Sequence, residues 1–82
     1  MSNNSNGEQK SQTKIPLDYL VVHATSYGRK QESISQECAD ELRRLIFIYV
    51  EDGFELQGGV STSESIEGEY KYITMYQAMV KY

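Results

Sequence analysis

His23 is the chain's single histidine, and its imidazole is the side chain best suited to moving protons near neutral pH. General acid–base work needs a carboxylate held beside it, and Asp18, five residues earlier on an extended run, falls on the opposite face of a pleat. A structural or interface histidine is the simpler reading, with a ligand contact as the alternative. Cys38 is the sole cysteine and has no Cys or His at metal-ligand spacing, so the sequence calls for a small buried thiol in a reducing compartment and for no metal. The pair Gly58-Gly59 could lend backbone amides to an anion, but no Gly-Lys-Ser/Thr follows and the pair lies inside an alternating run. Close backbone packing explains it more simply. Ser61, Thr62, Ser63 and Ser65 lack the strand-to-helix elbow that exposes a nucleophile. These residues point away from an enzyme, and none asks for a cofactor.

Two other sets can bind without reacting. Seven tyrosines, four of them at Tyr70, Tyr72, Tyr76 and Tyr82 on one side of an alternating run, can stack on a planar ligand, anchor an interface, or simply surface a sheet. The doublets Arg29-Lys30 and Arg43-Arg44 are solvated charges unless a symmetric assembly brings copies together around an anion.

The elements that must position these groups are few. Of 82 residues, 1–16 are rich in Ser, Asn, Gln and Lys and read as a disordered tail, leaving 17–82 as one small domain. A domain near this size buries only about 60% of the surface its unfolded chain exposes. Without disulfides, self-association is the ordinary supplement. A net charge of −4 argues against a nucleic-acid partner, and no apolar run has the length of a membrane span. Met1-Ser2-Asn3-Asn4-Ser5-Asn6 lacks the apolar stretch of a signal peptide, so the expected location is cytoplasmic.

Pro16 precedes a first strand, Leu17 to Ala24, followed by a polar connection over Thr25–Gln31. Ser33-Ile34-Ser35-Gln36 fits a capping box, and the apolar spacing of Ile34, Cys38, Leu42, Leu45 and Tyr49 predicts a helix from about Ser33 to Asp52, stopped by Gly53. Ala39, Ile46 and Val50 widen that stripe and Phe47 and Ile48 extend it on either flank, beyond what one sheet face covers; this is a second argument for a partner subunit, with the tail or loops folding over the excess as the alternative. A strand over Gly53–Ser61, a loop over Thr62–Glu69 and a final strand from Tyr70 to Tyr82 complete the chain.

Strand, helix, strand, strand predicts an α+β fold: a three-stranded antiparallel sheet of order 1-3-2 with the helix on one face. Leu20, Val22, Phe54, Leu56, Val60, Ala78 and Val80 are expected beneath the helix, with Tyr76 beside them, although a loop as long as Thr62–Glu69 lets either face of the last strand meet the helix. The opposite face would then show Tyr19, Val21, His23, Gln57, Gly59, Ser61, Ile73, Met75, Gln77 and Met79.

The motifs Gly53-Phe54-Glu55-Leu56-Gln57-Gly58-Gly59-Val60-Ser61 and Tyr76-Gln77-Ala78-Met79-Val80-Lys81 together resemble the bacterial and phage family called domain of unknown function 1737. The resemblance spans about Leu17 to Tyr82, with Phe54 where that family usually has tryptophan and a longer polar connection before the helix. It implies the same fold and a bacterial or phage origin, and no activity.

The sequence therefore leads to a small non-enzymatic, homo-oligomeric binding module of the phage type that sequesters a small, anionic, nucleotide-like ligand. The expected ligand contacts are Tyr19, His23, Gln57, Gly58, Gly59, Ser61, Gln77 and Met79, and the expected subunit contacts are Phe47, Ile48, Ile73 and Met75. The alternative is an acidic protein-interaction module that inhibits or regulates a host protein.

Overall fold

The structure, a computed structural model, describes residues 15–82. The expected tail, up to residue 14, lies outside the described residues. The element order is β1 (Asp18–Arg29), α1 (Ser35–Glu51), β2 (Glu55–Glu67) and β3 (Tyr70–Lys81). β3 is central and pairs antiparallel with both others, giving the order β1-β3-β2 and the expected α+β fold.

Two elements run further than their hydropathy suggests. β1 continues through Thr25–Arg29, and β2 continues through Thr62–Glu67, so the expected loop is strand. Both extensions are polar because they belong to edge strands, which face water on at least one side. β2 is exposed along its whole length. The turn to β3 is only Gly68-Glu69, with φ +61° at Gly68, the left-handed conformation that tight hairpins require.

At its start α1 departs from the expected cap. Ile34 occupies the N-cap position without a side-chain hydrogen bond. Gly53, with φ +94°, ends the helix as expected.

α1 lies over β1 and β3. Cys38 and Leu42 on the helix pack with Ile34, Val22, Ala24, Ile73, Met79 and Phe54 into one core. The Cys38 thiol is fully buried, and its Sγ donates to the Ala24 carbonyl at 3.3 Å, which suits an inert packing role. Tyr49 meets Phe54 edge-on at 5.7 Å.

The last strand is turned over relative to expectation. Leu20 pairs with Met79, Val22 with Gln77 and Ala24 with Met75, so Ile73, Met75, Gln77 and Met79 lie beneath or beside the helix. Ala78, Val80 and Tyr76 instead share the opposite face with Tyr19, Val21 and His23. The physical reason is the tyrosine hydroxyl. Burying Tyr72 and Tyr76 under α1 would require partners for two phenols, whereas Ile and Met carry no polar group that needs one.

Candidate binding site

Gln77 is the larger and deeper of two buried polar residues among those described, at 1% exposure against 8% for Ser26. Its Nε2 donates to the carbonyl oxygens of Ala78 at 2.9 Å, Gly58 at 3.1 Å and Gln57 at 3.3 Å. These contacts fall at a break in the β2–β3 ladder. Gln57 pairs with Ala78 but Ser61 pairs with Tyr76, so β2 spends two more residues than β3 between those rungs. The bulge displaces backbone carbonyls from the ladder, and the Gln77 amide takes two of them up.

Gly58 has φ +74°, a conformation that strains any residue with a Cβ. At neither Gly58 nor Gly59 would a Cβ have a neighbour within 4 Å. Close packing, the simpler sequence reading, is therefore not seen at this pair among the described residues. Backbone conformation accounts for Gly58, and nothing among the described residues accounts for Gly59. Because the insertion is two residues, side-chain parity is preserved, and Gln57, Ser61, Ser63 and Ser65 all lie on the face away from α1.

That uncovered face is a ladder of rungs between β1 and β3: Tyr19/Val80, Val21/Ala78, His23/Tyr76, Thr25/Thr74, Tyr27/Tyr72 and Arg29/Tyr70. The Tyr27 and Tyr72 rings stack at 5.9 Å, His23 and Tyr76 are 6.3 Å apart, and the Arg29 guanidinium lies 5.8 Å from the Tyr70 ring centre. Thr25 and Thr74 hydroxyls are hydrogen-bonded at 2.9 Å, and Ser63 Oγ lies 3.3 Å from Tyr76 Oη. Ser61 completes the His23/Tyr76 row on the third strand, two strand spacings or roughly 9–10 Å from His23, too far for a hydroxyl–imidazole pair. Asp18 accepts a hydrogen bond from the Tyr19 amide and is turned to the helix side.

Of the expected ligand contacts, Tyr19, His23, Gln57 and Ser61 are exposed and share this face, and Gly58 and Gly59 are exposed beside it. Gln77 and Met79, with 1% and 0% exposure, have no surface to offer. Of the expected subunit contacts, Phe47 and Ile48 are half-exposed, Met75 is partly covered and Ile73 is buried in the chain's own core. Tyr27, Tyr72, Tyr76 and Arg29 belong to the sets that the sequence marks as able to bind but not to the expected ligand contacts, and the parity of β3 across a two-residue turn is the signal that would have placed them on this face.

A second feature lies on the helix side. α1 only grazes β2, and the space between them is a groove of about 630 Å³ lined by Leu42, Ile46, Phe47, Val50, Leu56 and Val60, with Arg43 its one charged wall residue. Leu56 and Val60 do point to the helix side, as expected, but remain half-exposed.

Among the described residues no group of His, Cys, Asp and Glu could hold a metal ion, and no helix is long and apolar enough to cross a membrane. No family model, curated protein or solved structure matches the chain.

Proposed function

We propose that this protein is a small non-enzymatic binding module that works as a homo-oligomer and holds a small, planar, anionic ligand of the nucleotide kind on its tyrosine-bearing sheet face. The observation that carries this reading is the pair of aromatic rungs, His23/Tyr76 and the stacked Tyr27/Tyr72, set either side of the Thr25/Thr74 rung on a face that no element of the described chain covers. Aromatic rings on a rigid sheet give a base a surface to stack on, worth about 1–3 kcal/mol per base. Arg29 at one end supplies the cation for a phosphate, and the Ser61, Ser63 and Ser65 hydroxyls line one side. The open groove supports the homo-oligomeric part, because so apolar a hollow is costly to leave wet. The resemblance of the two glycine- and tyrosine-bearing motifs to family 1737 supports a bacterial or phage setting, and a cytoplasmic location accords with the lone reduced thiol.

Isothermal titration against nucleotides and cyclic dinucleotides, with mass spectrometry of anything that co-purifies, tests the ligand. Saturable heat that falls at least about tenfold in affinity on Tyr76→Ala or Arg29→Ala supports it, and a null in both measurements overturns it.

A second reading, an acidic module that inhibits or regulates a host protein, is favoured by one observation: Glu64, Glu67 and Glu69 are all exposed at the far end of the β2–β3 hairpin. Pull-down from a bacterial lysate separates the two. A stoichiometric protein lost on neutralising those three glutamates supports the second reading.

A further inference from the structure

We infer that the groove between α1 and β2 is filled by a second copy of this chain, whose α1 crosses the first antiparallel. The two Phe47 rings meet near a two-fold axis, and Arg43 of each copy faces Glu51 of the other. This rests on the homo-oligomeric part of the proposed function and specifies its contact.

Three observations select this occupant. The first is that the groove needs apolar contents, and residues 1–14, the part of this sequence outside the described structure, carry Met1 as their sole apolar side chain. They have nothing with which to fill it.

The second is self-complementarity. Ridge and hollow belong to one patch: Phe47 and Val50 stand out from the helix wall at 57% and 39% exposure, and the hollow opens beside them toward Leu56 and Val60. A two-fold contact requires such a patch, because the same surface must act as both knob and hole.

The third is charge. Arg43, Phe47 and Glu51 are spaced by four and form one ridge of the helix. Turning a second copy about an axis at Phe47 exchanges the ends of that ridge, so the cation of one copy meets the anion of the other, twice. Both side chains are exposed and neither forms an ion pair within the described chain, whereas Arg44, one residue along, is already paired with Glu41 at 2.6 Å.

Sedimentation equilibrium on the full chain tests the arrangement, with circular dichroism confirming that each variant is folded. The wild type is expected to form a dimer or a higher even-numbered assembly. Arg43→Glu and Glu51→Arg are each expected to weaken association by about tenfold, and the double variant to return within about threefold of wild type, because only a cross-copy pair is restored by exchange. Phe47→Asp is expected to abolish the assembly; should that variant fail to fold, the exchange pair decides alone. A wild-type oligomer whose double variant is no better than the singles overturns this contact and leaves the homo-oligomer standing. A wild type that stays monomeric at micromolar concentration overturns both.

Discussion

The side-chain amide of Gln77 lies 3.1 Å from the carbonyl oxygen of Gly58, joining the central strand to a bulge in its neighbour. A buried polar side chain thereby specifies where the edge strand leaves its ladder. Gln77→Leu keeps the bulk and removes the donor, and the expected loss is about 1–3 kcal/mol in urea unfolding.

Gln77→Glu should be worse, and its pH dependence has a definite sign. Burial raises a carboxyl pKa in the folded state above its unfolded value, so the native variant binds more protons than the unfolded one. Its stability is expected to rise as pH falls from 8 to 5 (roughly the range over which a buried carboxyl titrates). A flat profile over that range would show that the side chain swings out to water.

The two adjacent glycines should respond differently. Gly58→Ala forces a Cβ into a left-handed conformation and is expected to cost about 1–2 kcal/mol. Gly59→Ala meets no neighbour and should leave urea stability unchanged or raise it by about 0.4–1 kcal/mol. Should Gly59→Ala nonetheless weaken ligand binding or self-association, its missing side chain serves a contact outside the chain.

The inverted face of β3 is checked by a pair of truncations. Met79→Ala empties a fully buried site and is expected to cost about 2–5 kcal/mol, whereas Tyr76→Ala, on the open face, should cost less than about 1 kcal/mol. The opposite order in denaturant midpoints would restore the arrangement anticipated from hydropathy.

One surface pair gives a small acid-limb effect. The hydrogen bond from Arg44 and its positive charge hold the Glu41 carboxyl below the usual carboxylate range. A depressed folded value means that the stabilisation is present above the unfolded pKa and disappears as pH falls through the folded one. Glu41→Gln is expected to lower Tm slightly at neutral pH and to match the wild type in strong acid, by calorimetry.

Sheet order and the core positions of β1 and α1 were legible from pattern alone, because Leu20, Val22, Cys38 and Leu42 sit where the periods of two and 3.6 place them. The polar ends of the strands were not. Ser61 to Ile66 alternates no hydrophobicity, since an edge strand exposed on both faces has none to alternate, and a loop was the natural inference. That inference freed the register of β3 and led to the wrong face. Composition compounded the error: Gln77 looks like a surface residue until the bulge that uses its amide is known, and nothing in Gly58-Gly59 announces two extra residues. Of the residues expected at a subunit contact, Phe47 does stand at the surface, whereas the same inversion carries Ile73 inside.

Both ladders of the sheet run through β3, the last of the three strands to be made. On the ribosome, therefore, β1 and β2 have no strand to join until Tyr70 to Lys81 has emerged from the exit tunnel. Until then the helix has no sheet to cover; β2 can then close a local hairpin with β3, whereas β1 has had to wait for contacts distant in sequence.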